Sequence, residues 1–129
     1  MPVPPPQQRK PPASSVTDYD TFVHYLREIG VPVEPEGEVA QPFFSIEGRM
    51  LQFSGEEVQV FVYPDAAAAE EEAGLVSPDG STVGTSKPQW VGAPHFYRKG
   101  KILALYIGDN EKVLNILNAA LDRQFAGKQ

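Results

Sequence analysis

The chain has 129 residues, 41 % of them hydrophobic and twelve of them Phe or Tyr, enough for one domain with a sizeable core. Seventeen acids against eleven bases leave a net charge of −6, which argues against a nucleic-acid partner, because phosphate neutralisation needs a basic surface. There is no cysteine, which excludes disulfides, zinc-thiolate sites and thiol catalysis, and no apolar run reaches the roughly 18 residues of a membrane helix or forms a signal-peptide core.

Residues 1–16 carry six of the thirteen prolines and almost no large apolar side chain. Proline removes amide donors and favours extended geometry, so this stretch is expected to be a disordered, solvated tether to a single domain over residues 17–127. The same composition also suits a proline-rich ligand for a partner domain. Thr17-Asp18 then opens a helix over 18–29 with Tyr19, Phe22, Val23, Leu26 and Ile29 on one face, ended by Gly30. His24 lies beside that stripe with no second histidine near it, so a surface position is expected rather than a metal site. Residues 31–41 mix prolines and acids and predict an extended connection, not a central strand. Glu34, Glu36 and Glu38 alternate along it; three like charges on a solvated edge explain them better than a calcium site.

Short strands are predicted over 43–46 and 49–53, and a longer one over 57–63, where Val58, Val60 and Val62 alternate with Gln59, Phe61 and Tyr63. The Phe61 and Tyr63 side is expected to be partly covered or to offer aromatics to a partner. Asp65 caps a second helix that begins with four alanines, a composition suited to close approach to the sheet. Its Glu70, Glu71 and Glu72 diverge by about 100° per residue, which predicts a solvated face rather than a ligand cluster. Ser77-Pro78-Asp79-Gly80 has turn chemistry, and 82–85 offers a short edge strand, an exposed edge able to pair two copies. A hairpin is predicted from residues 94–98 to 101–107 with Gly100 at positive φ in its turn, followed by a helix over 110–125 capped by Asp109.

The two halves echo each other at an offset of 44 residues: Phe53 falls on Tyr97, Val60 on Ala104, Val62 on Tyr106 and Asp65 on Asp109. A repeated ββα unit suits a continuous antiparallel sheet with its helices on one side. The expected fold is therefore α+β, a mainly antiparallel sheet of four to five strands with three helices, in the order α-β-β-β-α-β-β-α.

The blocks GVPVEPEGEVAQPFFSIEGRMLQFSGEEVQVFVYPDAAAAEEEA, SPDGSTVG and PHFYRKGKILALYIGDNEKVLNIL resemble a group of small bacterial lipoproteins of unknown function, over about residues 18–127. In that group a signal peptide and a lipidated cysteine precede a low-complexity linker and one compact domain. The resemblance implies an extracytoplasmic module, tethered to the membrane only through an amino-terminal lipid anchor that this chain lacks. A start after the lipidation site would account for the missing cysteine. The resemblance brings no catalytic residues and no cofactor.

Catalysis needs a nucleophile, base or metal held in mutual reach. The two histidines are far apart in sequence, and no nucleophile elbow or phosphate loop is present. The expectation is a non-enzymatic binding module, monomeric or weakly dimeric, for a protein or envelope component. Its contact surface is expected to combine Trp90, His95, Phe96, Tyr97 and Arg98, since amphipathic aromatics and arginine anchor interfaces. The alternatives are a small enzyme with His95 as acid and base, and a structural spacer in the envelope.

Overall fold

A computed structural model of the chain describes residues 16–122 and 124–127. The tether expected over residues 1–16 lies outside them except for Val16, which is buried in the core. The first helix, α1 (Tyr19–Glu28), starts from a reciprocal cap in which the Thr21 amide donates to the Asp18 carboxylate and the Thr21 hydroxyl accepts from the Asp18 amide. The Thr21 amide and hydroxyl, both donating to the Asp18 carboxylate, hold it below its ordinary range. Three strands follow, β1 (Val33–Val39), β2 (Gly48–Phe53) and β3 (Glu56–Val62), and then α2 (Ala66–Ala73). The second half has β4 (Pro94–Lys99), β5 (Ile102–Ile107), α3 (Glu111–Ala120) and the two-residue β6 (Ala126–Gly127).

All six strands form one antiparallel sheet in the order β1-β2-β3-β5-β4-β6. The α+β class and the order of helices and strands up to α3 are as expected; the sheet is one strand wider. Both hairpin turns follow from their residues. Ser54 and Gly55 both take positive φ between β2 and β3, and Gly100 does so between β4 and β5, which gives tight two-residue loops that match strand twist.

Several expectations are corrected. The run at 43–46 is not a strand; the first strand of the sheet is β1, from the segment expected to be a connection. Its Pro35 and the register shift between Pro35 and Glu38 are tolerated because β1 is an edge, with one side of its backbone unpaired. Phe43 and Phe44 instead fold from a loop onto the sheet face, Phe44 lying edge-on to Phe61 with centroids 4.9 Å apart. At the other end, α3 stops at Ala120 and is capped by Asn110, not Asp109. Leu121 is extended, and Gln124 and Phe125, expected on the helix, belong to a return segment in which the Phe125 amide donates to the Phe96 carbonyl at 2.9 Å before β6 pairs with β4. Residues 82–85 form no strand of the sheet; Val83 makes only isolated bridges with Val76 and Ser86.

The helices do not share one side. Phe22, Leu26, Val113 and Leu117 of α1 and α3 pack on the Leu51, Val58 and Val60 face. On the opposite face, α2 lays Ala69 on Phe61, Leu103 and Leu105, with the loops before β2 and β4 beside it. Phe61 and Tyr63 are thus buried rather than offered to a partner. Glu72 is no solvated carboxylate either. It accepts from the Tyr63 hydroxyl at 3.0 Å and the Ser45 amide at 2.8 Å, tying helix, strand end and loop together.

Candidate functional site

Successive residues of a strand point to opposite faces, and that period divides the five candidate residues. Phe96 points to the α2 face and Tyr97 to the α1–α3 face, both fully buried. His95, 4 % exposed, stacks on Tyr106 on the α1–α3 side. Arg98 turns its guanidinium to the carbonyl of Gly100 at the far end of the hairpin. Only Trp90 and Phe96 meet, edge to face with centroids 5.9 Å apart. The structure therefore does not bring the five residues together as one surface.

His95 has both ring nitrogens engaged. Nε2 lies 2.9 Å from the Gly108 carbonyl oxygen and Nδ1 lies 2.8 Å from the Gln124 side-chain Oε1, each within hydrogen-bond reach. Beside it, the Tyr106 hydroxyl donates to Glu56 at 2.7 Å and accepts from the Asn110 amide at 3.2 Å. Burial, reinforced by the Glu56 bond, pushes the Tyr106 phenol up to about 12. These bonds fasten the start of α3 to β5. They leave no nitrogen of His95 aimed at a cavity.

Trp90 does reach open space. It is half-buried, with its indole N–H donating to the Gly80 carbonyl at 2.8 Å, and that carbonyl belongs to the expected turn at 77–80. Asp79 braces the turn by accepting from the Ser77 hydroxyl and from the amide and hydroxyl of Ser81. Phe43 lies edge-on to the other side of the indole, centroids 5.7 Å apart. Together with Pro42, Pro88, Val91 and Ile107 these rings line a cleft of about 530 Å³. Val91 stands on its rim, 97 % exposed.

The cleft continues across the sheet. Val91 and Ile107 also border a second hollow of about 470 Å³ floored by Met50, Gln52, Glu57 and Gln59, the part of this face that α2 does not cover. The Gln41 side chain donates to Gln59 at 2.8 Å and holds the loop before β2 beside it. At the β1 edge, Glu36 lies against Glu57, and the bond between the two carboxyls, with repulsion from Glu57 and Glu34, raises the Glu36 carboxyl above its ordinary range. One end of the trough is aromatic and proline-lined; the other is acidic.

A third hollow, of about 300 Å³, lies on the opposite face at the start of α1, where the Arg49 guanidinium sits 4.8 Å from the Tyr19 ring centroid among Asp18, Asp20 and Glu47. Among the described residues, no group of three or more His, Asp or Glu side chains is placed to hold a metal ion, and no helix is long and apolar enough to cross a membrane. His24 is exposed and 3.3 Å from Glu28 on its own helix. No protein-family model, curated protein or solved structure matches the chain.

Sequence reasoning found Trp90 but missed Phe43, Val91 and Ile107. Phe43 resembles a strand residue in sequence, and Ile107 is the last residue of one. The available signal was Val91 itself, an aliphatic residue between Trp90 and Gly92 in a loop bounded by Pro88 and Pro94.

Proposed function

We propose that the domain is a non-enzymatic binding module whose contact surface is the Phe43–Trp90 cleft, and that its ligands are extended, proline-bearing peptide segments. The observation that carries this reading is an open trough with an indole, a phenyl ring and two prolines at one end, beside the fully exposed Val91. Ridged, stiff proline segments dock between such rings with little ordering cost. A structural spacer has no need for an open apolar trough, and an enzyme using His95 has no access to that ring, which is 4 % exposed with both nitrogens bonded. The resemblance to small lipoproteins supports display outside the cytoplasm on a proline-rich tether, with a protein or envelope component as the partner.

The test is a ¹H–¹⁵N titration of the full chain with a polyproline decapeptide. Saturable shifts are expected at the Trp90 indole and at Val91 and Ile107. Val91→Glu places a charge on the rim without touching the core and should weaken binding by about tenfold or more, with the melting temperature unchanged. Shifts confined to the Arg49–Tyr19 hollow, or none anywhere, would sink the assignment. For localisation, protease added to intact cells should degrade the protein; full protection would contradict display at the surface.

A further inference from the structure

We infer that the peptides taken by the trough carry a cationic side chain about three to five residues from the proline that meets Trp90, seated over Glu57 and Glu36. This rests on reading the trough as a site for proline-bearing peptides, and it adds the chemistry that selects among them.

Charge complementarity points to such a ligand. Glu57 lies near the start of β3, and the strand period puts it on the same face as Gln59 and Phe61, the face of the trough. Pairing along β1, β2 and β3 sets Glu34 opposite Gln52 and Gln52 opposite Glu57, so one row across the sheet has a carboxylate on each side of an amide. Glu36, in the irregular stretch between Pro35 and Glu38, bonds its carboxyl to that of Glu57. All three glutamates are exposed. Among the described residues the one ion pair is His24 with Glu28, so none of these carboxylates has a lysine or arginine against it. Carboxylates held this close repel each other, and a cation set between them relieves the repulsion while donating to both.

Continuity ties that charge to the rings. The register that sets Val58 opposite Tyr106 places Glu57 beside Ile107 on the next strand, about 5 Å away. Ile107 and Val91 border both hollows, and Trp90 and Phe43 lie beyond them. From the carboxylates to the indole is thus a path of two to three strand spacings, about 10–15 Å. An extended proline segment advances about 3.1 Å per residue, so about three to five residues separate the cation from the proline on Trp90. Met50 and Gln59, on the floor of the second hollow, carry no charge, which confines the selection to the end of the path.

The net charge of −6 draws any cationic peptide, so the decisive comparison is between carboxylates inside and outside the trough. Trp90, the sole tryptophan, reports on binding in the full chain. Three decapeptides are titrated at low salt: polyproline, and polyproline with arginine at its first or at its last position. The better of the two arginine peptides should bind about fivefold more tightly than polyproline, the gain expected for a cation between exposed carboxylates. That gain should vanish in Glu36→Gln/Glu57→Gln. It should survive in Glu70→Gln/Glu71→Gln, which removes the same charge from exposed positions of α2. Neither pair lies in the core, so both double variants should melt as the unaltered chain does. Equal affinity for all three peptides, with the indole still shifting, would overturn the cationic selection and leave the proline site standing. A gain lost in both double variants, or kept in both, would place the arginine outside the trough and overturn it as well. An indole unmoved by any of the three would remove the proline site itself, and the selection with it.

Discussion

The β2-β3-α2 and β4-β5-α3 units are built alike and finish differently. Their central strands pair so that Val60 faces Ala104, Val58 faces Tyr106 and Val62 faces Ile102. Residues 44 apart in sequence thus exchange places across the sheet, and their side chains lie on the same face. Yet α2 goes to one face and α3 to the other. The difference traces to the position of one tyrosine. In the first unit it is Tyr63, whose side chain points to the α2 face and donates to Glu72 on that helix. In the second it is Tyr106, aligned with Val62 and pointing to the opposite face, where its hydroxyl accepts from Asn110 at the start of α3. A one-residue shift along a strand exchanges faces. The connection differs to match: Asp65 caps α2 three residues after the end of β3 at Val62, whereas Asn110 caps α3 one aligned position later and Gly108 takes φ 153° where the first unit has Pro64.

The comparison can be broken most severely at the core positions the units share. Phe61 and Leu105 are aligned, both fully buried beneath α2. Phe61→Ala should cost about 3–5 kcal/mol and Leu105→Ala about 2–5, measured by urea denaturation. A cost below about 1 kcal/mol for Phe61 would mean that the α2 layer adds little to the fold.

The connections should differ next. A methyl group at Gly108 would lie 2.6 Å from the Tyr106 hydroxyl oxygen, at a backbone angle open only to glycine. Gly108→Ala should therefore cost about 2–4 kcal/mol. Pro64→Ala, at the exposed aligned position, should stay within about 1 kcal/mol. Equal effects would remove the claim that the second connection is the constrained one.

The smallest effect sharpens the likeness. Tyr97 aligns with Phe53 on the same face, and its buried hydroxyl has no hydrogen-bond partner among the described residues. Tyr97→Phe should be neutral or stabilise by up to about 1 kcal/mol at pH 7. Burial, with Tyr106 nearby, pushes the Tyr97 phenol up to about 12, well above the unfolded value near 10. The folded state therefore retains the proton longer, so this contribution is intact below pH 10 and is lost as pH rises towards 12. Tyr97→Phe should flatten the fall in stability over that window, followed by denaturation with phenolate absorbance; an unchanged slope would show that Tyr97 ionises as readily folded as unfolded.

Much of this fold is legible from local chemistry. The reciprocal cap at Asp18 and Thr21, the alternation of Val58 to Val62 and the positive-φ glycine at 100 act over a few residues and need no distant partner. Reasoning of that kind misplaced the first strand because Phe43 and Phe44 have strand propensity but satisfy it from a loop, and because β1 is held by pairing with β2 rather than by its own Pro- and Glu-rich residues. It extended α3 through Gln124 because Leu121 and Gln124 keep helical spacing. The Phe96 carbonyl, which recruits Phe125, is invisible to periodicity. It grouped His95, Phe96, Tyr97 and Arg98 because they are adjacent in sequence, although the strand sends neighbours to opposite faces.

By itself, then, the sequence determined the α+β class, the helix starts at Asp18 and Asp65, both hairpin turns and the exclusion of cysteine chemistry, because each depends on short-range sterics or on composition. Tertiary structure alone decided which face each helix covers, the burial of His95, the tie that Glu72 makes to Tyr63 and Ser45, and the trough between Phe43, Trp90 and Glu57. Those features join residues tens of positions apart, and they arise only when the sheet is assembled and one part of its face is left without a helix.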